Sequence, residues 1–360
     1  MSNPIKKLFD LYTSDLSYYE IERLIKQEAA EVYEFFKKDI PKPEGNESKA
    51  KKSIIFIRSL FNAFIMKLSP ARRIFYLIAL LIFLIGFSQN GHPYVLLAFI
   101  ILNALLAFEL ADKLTVKNEL EIARKIQLEL IPKHPIKINK YEIASIYKPA
   151  KEVGGDYFDV VDCSENRSFI VLGDISGKGM AAALYMVKVQ AILHLLLSNF
   201  KGLKELLISI KKYFSKNLRK EYFLTLIAAC INKDGSIDIV RAGHPLPLYY
   251  KNKAKKLEEI NVFGIGIGLN DKGIFERTLS ETTIQPEKDD IVIFYTDGIT
   301  ETMNYRKEIF GEKNLQKIIV DNSQNSANEI KNIIINSVDS FRKGTNQSDD
   351  LTLVVLKAVE

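Results

Sequence analysis

Two cysteines in 360 residues, Cys163 and Cys230, are too few for a disulfide framework and too isolated for a metal-ligand pattern, so a reducing compartment is expected. The four histidines, His92, His134, His194 and His244, include no pair at the His-x-x-x-His spacing, which leaves a zinc site of that kind without support. A nucleotide-binding P-loop is missing as well. Gly177-Lys178-Gly179 lacks both the Walker spacing and the Ser or Thr that follows its lysine. Ser176 sits outside any Gly-x-Ser-x-Gly elbow. The first residues, MSNPIKKLFDLYTSD, lack the apolar core of a signal peptide, so secretion is not expected. The net charge of +6 forms no concentrated basic stripe, which argues against nucleic acid as a partner. No internal repeat or low-complexity segment is present.

What remains is an ordinary folded composition, 47% apolar and 26% charged, which excludes a disordered chain. The length allows two domains, or one large domain with appendages. Residues 1–70 read as polar helices broken by the loop PKPEGNESKAKKS; Ile21, Leu24, Ile25, Ala29 and Val32 recur at amphipathic spacing. Within 71–111, the segments Ile74–Phe87 and Tyr94–Phe108 carry no charge and are separated by the turn SQNGHP. Each run is about 15 residues, short of the roughly 20 that span a hydrocarbon core, but the flanks bring both near that length. Arg72, Arg73 and Glu109 would then lie at the interfaces. A helical hairpin buried in a soluble domain is the alternative. The membrane reading rests on apolarity all round each helix and on Lys67, Arg72, Arg73, Lys113 and Lys117 outside a turn free of Lys and Arg. It places both termini, and all that is attached to them, on the cytoplasmic side of the cell membrane.

Residues 112–135 form a charged helical linker. Val116, Leu120, Ala123, Ile126 or Gln127, and Leu130 follow three-and-four spacing, which suits either a short homodimeric coiled-coil seam over 112–133 or packing on the next domain. From 136 to 360 the pattern changes to strands rich in Val, Ile, Tyr and Phe, many apolar throughout, as expected for strands covered on both faces. Helices are expected near 181–197, 203–218 and 327–341. The fold class is therefore α+β, two sheets packed face to face with helices outside. Gly264-Ile265-Gly266-Ile267-Gly268 precedes no clear helix and reads as a flexible loop near the cleft.

Carboxylates recur at strand ends. Asp156 follows a Gly-Gly pair, Asp174 ends the run FIVLG, Asp297 follows IVIFYT, and Asp349 and Asp350 precede LTLVVL. Each alone has a plain explanation as a turn or cap residue. Their repetition at comparable boundaries favours one shared site, where they would repel unless protonated or compensated by a cation. An oxygen-rich site of this kind suits Mg2+ or Mn2+, and two such ions could activate water against a phosphoryl group.

Five ordered stretches carry a resemblance: Glu152 to Asp159 (EVGGDYFD), Gly173 to Leu184 (GDISGKGMAAAL), Ala242 to Pro247 (AGHPLP), Tyr295 to Glu301 (YTDGITE) and Ser348 to Thr352 (SDDLT). Together they resemble the metal-dependent protein phosphatase (PPM) family in its bacterial SpoIIE/RsbU branch, over about residues 118–358. The resemblance implies a PPM-type β-sandwich flanked by helices and a two-ion Mn2+ or Mg2+ centre. It makes Asp174 the bridging ligand, the Ile175 carbonyl its neighbour, and Asp156, Asp297 and one of Asp349 and Asp350 further ligands, with Asp349 preferred. It further implies that Asp156 and Asp174 are central to hydrolysis of phosphoserine or phosphothreonine without a phospho-enzyme, and that the substrate is a phosphorylated STAS-type anti-anti-sigma protein. Three positions depart from the family. Lys178 stands where many relatives carry histidine, Gly266 replaces a frequent proline, and no arginine before Asp156 matches the phosphate-binding arginine of eukaryotic relatives, for which Lys151 is the nearest substitute. His244 is expected to shape the Gly-His-Pro turn, the alternative being an acid near the leaving group. Two other functions stay open: a non-catalytic signalling protein, and a metal-dependent hydrolase of another phosphoester.

Overall fold

The computed structural model describes residues 49–360 except 90, 133–135, 164–166, 198–201, 218, 220 and 270–272. The helices expected before residue 49, and His134, lie outside the described residues. The chain divides into two compact units, Met1–Thr115 and Val116–Glu360.

In the first unit, α1 (Lys49–Lys67) is followed by α2 (Pro70–Ser88), and α3 begins at His92. Pro70 opens α2, where a missing N–H costs nothing. The α2–α3 pair is built with small residues inside: Ala79 and Ala98 are fully buried and Gly86 is buried beside Tyr94. The large side chains face outward, with Phe87 74%, Phe99 63% and Leu96 60% exposed. Close approach on small residues with Leu, Ile and Phe outside is the reverse of a water-soluble helix pair. At the open end of the hairpin, Arg72 binds Glu109 at 2.9 Å and Asp112 at 2.7 Å. By length and hydropathy both α2 and α3 are able to cross a membrane. Helix α3 runs unbroken from His92 to Glu129, so the second apolar segment and the charged stretch after it are one helix.

The second unit contains eleven strands among the described residues. One sheet has the order β1 (Ile136–Ile138), β2 (Tyr141–Lys148), β11 (Leu351–Ala358), β10 (Ile291–Tyr295), β7 (Leu248–Lys251), β8 (Lys256–Glu259). The other has β3 (Asp156–Cys163), β4 (Arg167–Ile175), β5 (Leu224–Ile231), β6 (Ile237–Ala242), β9 (Glu281–Ile284). All pairings within both sheets are antiparallel.

Alternation along each strand explains the layers. In β4, Ile170 and Leu172 enter the core between the sheets with Phe158, Val292, Phe294 and Val354. Phe169 and Val171 point the other way, under α4 (Met180–Leu197) and α5 (Leu203–Asn217). On the far side, Ile293, Leu353 and Val355 pack beneath α8 (Gly311–Asp321) and α9 (Ala327–Phe341). Two short helices, α6 (Ile274–Thr278) and α7 (Asp297–Thr300), complete the described elements. Both faces of each sheet are covered, which is why these strands read as nearly continuous apolar runs. Helix α4 is also long and apolar enough to cross a membrane, but Ala182, Met186, Val189 and Leu193 belong to the core beneath it.

The glycine-rich loop at 264–268 differs from the flexible segment expected. Ile267 exchanges two backbone hydrogen bonds with Leu224, each 2.8 Å, and the Gly264 carbonyl accepts from Gly243 N–H at 2.9 Å. Gly264 passes so close to β6 that a Cβ would land on the Arg241 carbonyl oxygen. Gly264 is there for contact, and Gly268, at φ 97°, for a backbone conformation that glycine takes most readily. Gly264→Ala is therefore expected to destabilise the chain by about 2 kcal/mol or more, read as a lowered denaturation midpoint; an unchanged midpoint would contradict the pinned loop.

Candidate metal centre

The β3–β4 register sets the first pair of carboxylates. Asp156 and Asp174 are direct cross-strand partners, at the start of one strand and the end of the next. Asp174 has Thr225 as its partner on the other side, in β5. Asp297 opens α7 just after β10, and Asp349 and Asp350 lead into β11, which lies beside β10. Gly298 permits this neighbourhood, since a Cβ there would fall on the Asp350 carbonyl oxygen. All five aspartates singled out in the sequence thus reach the same end of the two sheets.

Their surroundings are unequal. Asp156 is buried, and its Oδ2 accepts hydrogen bonds from Thr296 Oγ1 at 2.9 Å and Thr352 Oγ1 at 2.5 Å. Burial, then the charges of Asp174 and Asp350, push its pKa well above the usual carboxylate range despite these hydroxyls. Burial also raises Asp174 to about 7, with Asp297, Asp349 and Asp350 adding to the effect and Lys178 opposing it. Asp297 is raised by burial, then by Glu301 and Asp349, again with Lys178 opposing.

Asp350 is occupied otherwise. Its Oδ1 accepts from the Ala150 N–H at 2.7 Å and its Oδ2 from the Gly155 N–H at 2.6 Å, so it shapes the loop that delivers Asp156. Asp349 directs Oδ1 to the Asp350 N–H at 3.0 Å and Oδ2 to Lys178 Nζ at 2.7 Å. The Ile175 carbonyl lies 3.0 Å from where a Gly155 Cβ would be, at the same strand end.

Gln127, on the last turns of α3, supports the site from behind. Its buried amide donates to the Gly154 carbonyl at 2.7 Å and accepts from the Gly154 N–H at 3.1 Å. Sequence reasoning noted Gln127 without this role, and it quoted Thr296 and Thr352 within two motifs without assigning them one. Threonines one residue before Asp297 and two after Asp350 were the available signal. Lys151, the nearest substitute for a phosphate-binding arginine, is exposed on the loop before Asp156.

A cleft of about 350 Å3 opens beside Asp174 and Asp297, lined also by Thr225, Arg241, His244 and Glu301. His244 is buried, with Nδ1 2.9 Å from Thr225 Oγ1. Burial and Arg241 push its pKa down to about 3, so it is neutral at physiological pH. Its Nε2 has no hydrogen-bond partner among the described residues; the Tyr295 carbonyl favours the protonated ring without meeting hydrogen-bond geometry. Arg241 holds the turn through the Val262 and His244 carbonyls, at 2.7 and 2.5 Å.

Among the described residues, no three acidic, histidine or cysteine side chains stand close enough to hold an ion as they are placed. The carboxylates are within electrostatic reach of one another without converging on one point. The donors are oxygens alone, and their mutual repulsion asks for positive charge, so the residue set fits hard divalent cations such as Mg2+ or Mn2+.

Two stacked antiparallel sheets between helical layers, with carboxylates gathered at one end, define a phosphatase fold of the PP2C type. The SiaA-PP2C domain of Pseudomonas aeruginosa shares this fold with a TM-score of 0.60 at 14% identity, over 69% of this chain and 98% of that one. A structure of the RsbU and RsbW domains of a Mycobacterium tuberculosis protein matches with a TM-score of 0.53 at 21% identity, over 64% of this chain and 62% of that one. The family model for stage II sporulation protein E (SpoIIE) matches residues 164–359, and the chain belongs to that family. Among curated proteins, the phosphoserine phosphatase RsbU of Bacillus subtilis is 28% identical over 249 residues, 67% of this chain and 70% of RsbU.

The raised Asp174 has a consequence for stability. A carboxyl whose folded pKa lies above its unfolded value binds its proton more tightly when folded, so the metal-free chain loses stability as pH rises from 3.8 to about 7. Asp174→Asn removes that loss. In EDTA the variant is expected to melt several degrees above the native chain at about pH 8, with the gap closing below about pH 4. A gap that ignores pH would contradict the shared-burial account.

Proposed function

We propose that this chain is a membrane-tethered, Mn2+- or Mg2+-dependent protein phosphatase that hydrolyses phosphoserine or phosphothreonine on a regulatory protein at the cytoplasmic face. The observation that carries the reading is the cross-strand pairing of Asp156 with Asp174, with Asp297 and Asp349 within electrostatic reach. Asp156, Asp174, the Ile175 carbonyl, Asp297 and Asp349 would hold two ions, which when bound supply an activated water and neutralise phosphoryl charge. Asp350 is the weaker ligand candidate, since both its oxygens already serve backbone amides.

The chain's own residues do the positioning. Thr296 and Thr352 aim Asp156, and the Gln127 amide holds Gly154 and with it the approach to Asp156. The cleft beside Asp174 and Asp297 gives room for the phosphorylated side chain, with neutral His244 on its wall. Similarity to RsbU supports phosphoserine, and the match to a structure containing RsbU and RsbW domains supports a partner-switching substrate, a phosphorylated STAS-type anti-anti-sigma protein.

Membrane attachment is supported by the outward apolar side chains of α2 and α3 and by the distribution of Lys and Arg outside their turn. The cytoplasmic placement of the termini rests on that distribution alone. Val116 and Ile126 of the three-and-four stripe are exposed on α3, as a homodimeric seam over residues 112–133 would need, while Gln127 of the same stripe packs on Gly154.

The full chain in detergent is expected to release phosphate from a phosphoserine peptide with Mn2+, to lose this with EDTA or Asp174→Asn, and to leave a phosphodiester intact. Hydrolysis of the phosphodiester alone would favour the other phosphoesterase, and no hydrolysis of either would favour a binding protein. A reporter fused into the 88–93 turn is expected to read as external; a cytoplasmic signal there would remove the membrane hairpin.

A further inference from the structure

Lys178 is a cation set among the carboxylates of the site. It lies in the loop between β4 and α4, four residues after Asp174, and its side chain is 42% exposed. Its ammonium reaches across to the loop before β11, where it contacts the Ser348 carbonyl and lies 2.7 Å from Asp349 Oδ2.

The choice of oxygen matters. Asp349 has already committed Oδ1 to the Asp350 N–H at 3.0 Å, and its backbone carbonyl accepts from Gln347 Nε2 at 2.8 Å. The carboxylate is therefore oriented by its own loop, and Oδ2 is the oxygen left for another partner. Lys178 sits on that oxygen. It is also the cation that counters the mutual repulsion at both Asp174 and Asp297. A divalent ion needs an oxygen at about 2.0–2.2 Å and would bring two positive charges against the ammonium. The oxygen has lone pairs for both, but the ammonium and the ion would then repel each other across it.

We propose that Lys178 is a built-in competitor for the metal. Its ammonium holds Asp349 Oδ2 in the metal-free protein, and an ion shared by Asp297 and Asp349 loads only when Lys178 leaves. The half-exposed, flexible lysine stem allows that departure without movement of the backbone. Lys178 thus acts on metal affinity, as a residue that positions charge and does not touch the reacting atoms. Metal loading at Asp297 and Asp349 is weakened relative to the ion on Asp156 and Asp174, so the two loadings separate along a metal titration. The inference rests on the two-ion reading of the site.

The test is calorimetric titration of Mn2+ into the full metal-free chain in detergent, for the native protein, Lys178→Met and Lys178→Arg, with Asp174→Asn as reference. Lys178→Met keeps the stem and removes the charge. It is expected to tighten the weaker Mn2+ site about fivefold, the scale of a partly exposed ion pair, and Lys178→Arg to stay near native affinity. A purely structural role for Lys178 would instead weaken binding when it is lost. If Lys178→Met binds Mn2+ no tighter than the native chain, the competitor role is overturned while the metal site stands. If the native chain takes up no more Mn2+ than Asp174→Asn, the metal site falls, and this inference with it.

Discussion

Asp156 and Asp174 face each other across neighbouring strands, and Asp156 is buried enough that the charge of Asp174 matters. Unpaired carboxylates at such a place would cost far more than any turn needs, so the surrounding structure is arranged to tolerate them. Two threonine hydroxyls meet Asp156, backbone amides meet Asp350, and one ammonium meets Asp349. None of these neutralises the cluster. The remaining repulsion is what a divalent cation would relieve.

The sandwich makes this arrangement rigid. The strands that end at the cluster are covered on both faces, by the other sheet and by helices, so their ends are positioned by packed cores on either side. Loops then approach one another at distances that leave no space for a Cβ, at Gly298 against Asp350 and at Gly264 against Arg241. Gln127 extends the same support to the helix that leads into the domain, clamping Gly154 through a two-point amide contact. A PP2C-type domain of the SpoIIE family is in this sense a scaffold for holding like charges together.

The first unit solves a different problem. Its α2–α3 pair puts Ala79, Gly86 and Ala98 inside and exposes Phe87, Leu96 and Phe99, an arrangement that water would penalise. The Arg72 pairs with Glu109 and Asp112 gather charge at the open end of the hairpin. The two units are thus built from separate stretches of sequence with opposite rules for what faces outward.

Much of this was legible in the residues. Strand and helix positions follow from apolar runs, and the five aspartates stand out because they interrupt those runs at their ends. The ordered motifs around them identify the family because each keeps its local chemistry. The Gly264–Gly268 loop was misread, since glycine permits both mobility and close contact, and only the neighbouring strand tells which. The partners of each carboxylate were hidden for a related reason: Thr352 meets Asp156 from 196 positions away, and Lys178 meets Asp349 across two loops. The sequence by itself determined which residues carry charge and where the strands that present it end, because hydrophobic period and turn chemistry are local. Only the tertiary structure decided which oxygen each donor takes, because that depends on two sheets packing with their ends aligned.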